Sequence, residues 1–317
     1  MSHSLRRLLL RRGRNVEAAL LCFALALPLL LQAIGEDFYI SIATRMLIFA
    51  LAATSLNFVV GYGGMIAFGH AAFFGVGAYV VALLMTAGLT SAWLTWPLAI
   101  AVTILIALPI GVISLRTRGV YFIMITLAFA QMIYYSVISL KVTGGDDGLP
   151  LQQRSVLYPF DLNGDIALYW VTLLLLAAGL YVLKRLSASR FGHALAGLRQ
   201  NSTRMEGLGY PVLRLQLTCF VIGAAGAGLA GALLANQNGL ASPSQLYWTQ
   251  SGMLLVMVIL GGVGQRYGGV LGALMLLGLE ELLGRLTEHS HLYVGLALLL
   301  VVLFAPRGLA GLIVRHK

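Results

Sequence analysis

The chain has 317 residues, of which 59% are apolar and only 10% are charged, and its mean hydropathy is +0.90. These values exclude an ordinary soluble protein, and the net charge of +10 does not indicate nucleic-acid binding, because the basic residues stand between apolar runs. Both cysteines, Cys22 and Cys219, lie within such runs, so we predict neither a disulfide framework nor a metal site.

Ten apolar runs follow one another, and a helix of about 20 apolar residues can cross a bilayer. They cover residues 16–34, 41–60, 71–88, 97–115, 119–139, 168–184, 214–235, 251–264, 269–284 and 292–306. The first run lacks a signal-peptide cleavage pattern, so we expect a retained helix. The runs 251–264 and 269–284 and the glycine-rich stretch 61–78 are the weakest spans, since each could be re-entrant. The sequence predicts an all-α polytopic membrane protein with about ten (eight to ten) transmembrane helices.

The basic residues fall into alternate loops, as the positive-inside rule requires of a multispanning protein. Threading ten helices from a cytoplasmic N terminus places most of the 21 basic residues inside and leaves both termini cytoplasmic. We therefore predict a basic cytoplasmic segment 1–15, a transmembrane domain 16–306 and a basic cytoplasmic tail 307–317. Within that domain, the loop 140–167 lies outside and the loop 185–213 lies inside.

The inner loop contains an amphipathic segment between residues 191 and 209. Its apolar residues recur at spacings near three and four, which predicts a short helix or helix pair at the inner surface. These residues are Phe191, Leu195, Leu198, Met205 and Leu208, and Arg199, Gln200, Asn201 and Arg204 occupy other faces. Such a segment either rests on lipid headgroups or docks to a cytoplasmic partner.

The sequence offers no machinery for chemistry, and we predict no catalytic residue. None of the three lysines, Lys141, Lys184 and Lys317, follows a glycine, so the glycine-lysine loop that binds nucleotide phosphates is missing. The acidic pair Glu280 and Glu281 lies near the end of its run, which leaves no carboxylate at the membrane midplane. A stand-alone ion-coupled carrier is therefore disfavoured but stays open as the alternative, and the histidines form no haem-ligand pair.

Glycine is abundant, with 37 residues concentrated in three clusters. In Gly223 to Gly231 and in Gly261 to Gly272, small residues indicate close helix packing. The cluster from Gly61 to Gly77 is interrupted by Tyr62, His70 and aromatic residues. This pattern favours a broken helix that faces a cavity, because bare backbone at membrane depth needs protein or water around it.

In order along residues 40 to 312, several segments resemble the LivM-type permease family of bacterial ABC importers for branched-chain amino acids. The first half of the resemblance is carried by Leu56-Asn57 with Gly61-Tyr62-Gly63-Gly64, Phe68-Gly69-His70 with Gly75, Gly77 and Tyr79, Arg118-Gly119 with Tyr121, and Thr126. The second half is carried by Thr143-Gly144-Gly145 with Asp147-Gly148-Leu149, Gly192 with Ala194-Leu195, Leu198-Arg199 with Asn201, Glu206 with Leu208-Gly209, Gly261-Gly262 with Gly264 and Gly268, and Ala305-Pro306-Arg307-Gly308-Leu309.

The resemblance implies a permease of the type II importer class, located in the bacterial inner membrane, that forms half of a translocation path. Its expected partners are a second homologous permease, two cytoplasmic ATP-binding subunits and a periplasmic solute-binding protein. It implies no cofactor in this chain, because ATP and Mg²⁺ would bind to the ATPase subunits. The cargo is a branched-chain amino acid or a related solute such as urea, an amide or a carboxylate. The sequence decides neither the cargo nor whether the two permeases are identical.

The resemblance also implies three sets of site residues. The translocation-path candidates are Asn57, Gly61, Tyr62, Gly63, Gly64, Gly69, His70 and Thr126. The ATPase-coupling loop has Gly192, Leu195, Leu198, Arg199, Asn201, Glu206, Leu208 and Gly209, and Leu195, Leu198 and Leu208 are expected to fit a groove of an ATPase. The outer rim has Thr143, Gly144, Gly145, Asp147 and Gly148. Two residues depart from the family pattern. Gln200 stands in place of an acid and bears on which ATPase the inner loop recognises, and Asp146 beside Asp147 bears on which partner docks at the outer rim.

Overall fold

The computed structural model describes residues 37–158, 162, 164–286, 289–304 and 308–313. These residues are mainly helical. The helices are α1 (Asp37–Asn57), α2 (His70–Thr86), α3 (Ala92–Ser114), α4 (Val120–Ser139), α5 (Asp165–Ser187), α6 (Arg190–Gln200), α7 (Ser202–Gly207), α8 (Val212–Asn238), α9 (Trp248–Gly261), α10 (Gly268–Leu286), α11 (Ser290–Phe304) and α12 (Gly308–Ile313). The predicted first span, 16–34, and the basic segment 1–15 lie outside the described residues.

Each of the other nine predicted runs coincides with a described helix, so the all-α prediction is confirmed for this part of the chain. Five stretches are long and apolar enough to cross a membrane, namely Phe38–Tyr62, Ala92–Ser114, Val120–Ser139, Asp165–Ser187 and Val212–Asn238. The helices His70–Thr86 and Trp248–Gly261 and the segment Leu292–Val301 are apolar but shorter. The chain is thus a multi-pass membrane protein, while the exact number of crossings stays a prediction.

Helix α8 forms the centre of the bundle and packs against α1, α2 and α3. Its contacts depend on small residues, because a Cβ atom added to Gly231 would lie 1.7 Å from the Phe74 carbonyl oxygen. The contact is equally close from the side of α2, where a Cβ added to Gly77 would lie 2.0 Å from the Gly228 carbonyl oxygen of α8. Backbone therefore meets backbone along this contact, and the packing prediction for Gly223 to Gly231 is confirmed.

A second close-packed group joins α1, α9 and α10. A Cβ added to Gly272 would lie 1.7 Å from the Met257 carbonyl oxygen. A Cβ added to Gly269 would lie 2.5 Å from the Thr54 backbone nitrogen. The Gly261 to Gly272 cluster thus also serves helix packing, as predicted. Near the far end of α10, Arg285 forms an ion pair with Glu281, four residues before it, at 2.9 Å, a spacing at which helical side chains meet.

The loops gather at two opposite ends of the bundle. At one end, strand β1 (Leu149–Pro150) pairs antiparallel with β2 (Leu240–Ala241), and Arg154 forms an ion pair with Asp165. At the other end, the residues after α1, the α9–α10 connection and the α6–α7 pair lie together. We name these the outer end and the inner end, following the predicted threading, whose orientation relative to the cytoplasm stays a prediction.

Candidate functional site

The break in the glycine-rich segment lies at the inner end. Helix α1 finishes in a π-helical turn, Phe58–Tyr62, and an irregular stretch 63–69 leads into α2. Gly64 has a positive φ of 69°, a conformation that glycine adopts without strain. The predicted helix interruption is confirmed, and it falls between two of the best-buried helices of the described bundle.

Asn57 fixes the break to the α9–α10 connection. Its side-chain oxygen accepts a hydrogen bond from the Gly264 backbone N–H at 2.8 Å, and its amide nitrogen donates to the Gln265 carbonyl at 2.7 Å. Gly61 makes this approach possible, because an added Cβ would lie 2.4 Å from the Gly264 nitrogen. A buried amide with both groups satisfied holds two loops in register.

His70 and Thr126 hold the other side of the break. The His70 ring is buried, and its Nε2 lies 3.0 Å from the Ser55 hydroxyl. The Thr126 hydroxyl accepts a hydrogen bond from the Phe68 backbone N–H at 3.2 Å, and the Ser251 hydroxyl accepts one from the Ala71 N–H at 2.8 Å. Ser55 and Ser251 are not among the predicted path residues, although a serine within an apolar helix is a usable signal.

The structure therefore gathers the predicted path residues around one broken segment and turns the polar groups of Asn57, His70 and Thr126 toward protein partners. Gly69 packs on Thr126, because a Cβ added to it would lie 2.9 Å from the Thr126 carbonyl oxygen. Gly63 packs on Cys219, because a Cβ added to it would lie 3.0 Å from the Cys219 sulfur. Tyr62 is half-buried and lies with Asn57 at a small cavity between α1 and α5. Their role in translocation stays a prediction.

The inner loop folds as the predicted helix pair, α6 and α7. Ser189 caps α6 by accepting a hydrogen bond from the Gly192 N–H, and Asn201 caps α7 by accepting one from the Arg204 N–H at 2.9 Å. Gly192 lies against the end of α5, where its added Cβ would be 2.3 Å from the Ser187 carbonyl oxygen. Glu206 is exposed, and Gly209 takes a positive φ of 83° after α7.

The burial of the leucines in this pair differs from our prediction. Leu195 and Leu198 are 0% and 5% exposed, whereas Leu208 is 67% exposed. The apolar face of α6 is buried against the protein's own bundle, as is usual for an amphipathic surface helix. Leu195 and Leu198 therefore cannot fill a groove of another subunit in this arrangement, and the expectation is corrected to Leu208 alone.

Arg199 connects the helix pair to the broken segment. Its Nη1 donates a hydrogen bond to the Gly61 carbonyl oxygen at the end of the π turn. The side chain passes over two glycines, since added Cβ atoms on Gly64 and Gly264 would each lie 3.1 Å from it. Both glycines have positive φ, 69° and 77°. The structure thus joins a predicted coupling residue to predicted path residues, which the sequence alone did not indicate.

The outer rim is a tight turn that follows α4. Thr143 is buried, and its hydroxyl donates to the Leu140 carbonyl at 2.7 Å. Gly144, Gly145 and Gly148 all have positive φ, and an added Cβ on Gly148 would lie 2.4 Å from the Ala241 carbonyl oxygen. Asp147 is exposed at the tip. Glycine is required here by backbone conformation and by contact with β2.

The chain is similar to known transport proteins. The family described as branched-chain amino acid transport system / permease component matches residues 38–305. The permease protein LivM of Salmonella typhimurium is 31% identical over 315 residues, covering 92% of this chain and 73% of that protein. LivH of Salmonella typhimurium is 27% identical, covering 83% and 91%, and BraD of Pseudomonas aeruginosa is 28% identical with the same coverage.

No solved structure shows significant similarity to the chain. The family match extends from the start of α1 to the end of α11, and the LivM similarity covers nearly the whole chain. The chain belongs to the family of permease components of branched-chain amino acid transport systems.

Proposed function

We propose that the chain forms half of the translocation path of an ABC importer in the bacterial inner membrane. The second half is a homologous permease, two cytoplasmic subunits supply ATP hydrolysis, and a periplasmic binding protein delivers the solute. The similarity to both LivM and LivH of one organism, at 31% and 27% identity, supports a pair of related permeases. By the same relatives, the cargo is a branched-chain amino acid or a small solute of similar chemistry.

The observation that carries this proposal is the connection from the α6–α7 helix pair through Arg199 to the broken segment after α1. A helix pair at the inner end, with Glu206 and the following Leu208 exposed, is suited to contact a soluble motor. Its basic character also supports a cytoplasmic location under the positive-inside rule. If the chain crosses the membrane eight to ten times with both termini in the cytoplasm, as we propose, this pair faces the ATPases.

Reconstitution tests the function directly. The chain is placed in vesicles with its second permease, both ATPases and the binding protein, and uptake of radiolabelled leucine is followed. We expect uptake only when ATP and all partners are present. Uptake by the permeases alone would support the alternative, a stand-alone carrier or channel, and would overturn the importer assignment.

Leu208→Asp is expected to weaken ATPase binding while the permease still folds. An exposed leucine that becomes buried in an interface contributes about 1.5–3 kcal/mol, so its loss should lower the affinity at least about tenfold. Co-purification of the ATPases with the tagged permease measures this effect. Leu195→Asp is the matched comparison, because it places a carboxylate inside the bundle and should lower permease yield instead. Normal ATPase recovery with Leu208→Asp would contradict the assignment.

A further inference from the structure

The small cavity between α1 and α5 has a basic lining. We name it the α1–α5 cavity, and residues of both helices and of the α9–α10 connection line it. Two of the lining residues are cations, Lys184 at the end of α5 and Arg266 in the α9–α10 connection, and both are exposed. None of the lining residues is acidic, and Lys184 forms no ion pair within the described chain. Such a lining attracts an anion.

The α1–α5 cavity also contains a buried hydroxyl without a partner. Thr54 lines the cavity and is only 3% exposed, and its hydroxyl has no hydrogen-bond partner among the described residues. Asn57 on the same wall has both of its amide groups bonded to the α9–α10 connection. Because buried polar groups in proteins are nearly always hydrogen-bonded, the Thr54 hydroxyl indicates that an oxygen atom from outside the chain completes this site.

The α1–α5 cavity lies at the depth of lipid headgroups. Lys184 is in the last turn of α5, a helix that is long and apolar enough to cross a membrane. Tyr181 and Val182, just before it, are 56% and 51% exposed. The Arg185 guanidinium donates a hydrogen bond to the Tyr181 hydroxyl at 3.0 Å. Tyrosines and basic residues at the end of a span mark the boundary between hydrocarbon and water, which is also where lipid phosphates lie.

A phospholipid is a better occupant of this cavity than a free anion. Exposed cations bind a small soluble anion weakly, because salt screens the attraction. A phospholipid is already present at this depth, and its acyl chains can rest on the aliphatic residues Leu180 and Leu183, which also line the cavity. An anionic headgroup such as phosphatidylglycerol is favoured over a zwitterionic one, because Lys184 and Arg266 would repel the ammonium group of the latter.

We infer that the α1–α5 cavity binds the headgroup of an anionic phospholipid. Lys184 and Arg266 pair with the phosphate, and the Thr54 hydroxyl donates a hydrogen bond to an oxygen of the same lipid. Tyr62, which also lines the cavity, belongs to the π turn that Arg199 contacts, so a bound lipid would help to hold this turn in place. The inference goes beyond the proposed function and does not depend on it, because lipid binding requires neither ATP nor a solute.

Lipid titration of the purified complex tests the inference. Native mass spectrometry follows the binding of phosphatidylglycerol and of phosphatidylcholine with the same acyl chains. We expect Lys184→Gln to lower the affinity for phosphatidylglycerol about fivefold, the effect of one basic residue near an anionic headgroup. Arg185→Gln is the matched control, because Arg185 is the next residue of α5, is also exposed and does not line the cavity. Its affinity should remain near the wild-type value.

Thr54→Val tests whether the lipid enters the cavity. Valine has nearly the shape of threonine without its hydroxyl, so the fold should tolerate the change. We expect weaker binding of phosphatidylglycerol, whereas the thermal midpoint in lipid-free detergent should stay at the wild-type value. Unchanged affinity in this variant would contradict the contact between the Thr54 hydroxyl and the lipid.

Three other results would overturn the inference. Equal losses in Lys184→Gln and Arg185→Gln would show a general attraction of the basic surface for anionic lipid. Equal affinity of the wild type for the two lipids would show that the cavity does not recognise charge. Inorganic phosphate that binds as tightly as phosphatidylglycerol, with the same loss in Lys184→Gln, would identify a soluble anion as the occupant. ATP-dependent leucine uptake is recorded in parallel, and its presence keeps the proposed function intact if lipid binding fails.

Discussion

Gly231→Ala is expected to prevent stable folding of the chain. The added methyl carbon would lie 1.7 Å from the Phe74 carbonyl oxygen, and a backbone atom cannot rotate away as a side chain can. Overpacking of a core typically costs about 1–3 kcal/mol, and here α2 and α8 must separate along the central contact of the bundle. We expect a cost at or above the top of that range. The yield of monodisperse protein in detergent and its thermal midpoint measure the effect.

Gly284→Ala is the matched control for this substitution. Gly284 also lies within a helix, α10, but an added Cβ there meets no atom within 4 Å. Alanine is favoured over glycine in helices by about 1 kcal/mol, so this variant should be as stable as the wild type or slightly more stable. Equal loss of stability in both variants would show that close backbone contact is not the reason for glycine at position 231.

The helices of the described chain could be predicted because run length and hydropathy are local properties. The run 119–139 became Val120–Ser139, and the run 71–88 became His70–Thr86. The two later glycine clusters were also predictable, since small residues near four apart indicate where helices approach. The number of membrane crossings could not be predicted in this way, because α2 and α9 are too short for their length to show whether they cross.

Long-range partners could not be predicted from the sequence. Asn57 and Gly264 are 207 positions apart, and Arg199 and Gly61 are 138 apart, so no periodicity relates them. The periodicity of the 191 to 209 segment showed that it has an apolar face but not which body covers that face. For this reason the sequence predicts Leu195 in a partner's groove, whereas the structure buries it in the chain itself.

Arg199→Ala is expected to separate ATP hydrolysis from transport. The Arg199 guanidinium donates to the Gly61 carbonyl, and the side chain lies over Gly64 and Gly264. It thereby joins α6 to the break after α1, so movement of the helix pair can displace the broken segment. A hydrogen bond from a charged group contributes about 1.5–3 kcal/mol. Its loss should lower leucine uptake per ATP hydrolysed at least about tenfold, as measured in reconstituted vesicles.

Two variants identify the contact with Gly61 as the cause. Arg204→Ala removes the same charge from the exposed surface of α7 and leaves the Gly61 bond in place, so its uptake per ATP should remain near the wild-type value. Arg199→Lys retains the charge but loses the planar guanidinium with its fixed N–H donors. We expect its uptake per ATP to lie between those of Arg199→Ala and the wild type. A wild-type ratio in Arg199→Ala would contradict the coupling role. Equal losses in Arg199→Ala and Arg204→Ala would instead point to the general charge of the inner surface, because Arg199 contacts the break and Arg204 lies on the exposed surface of α7.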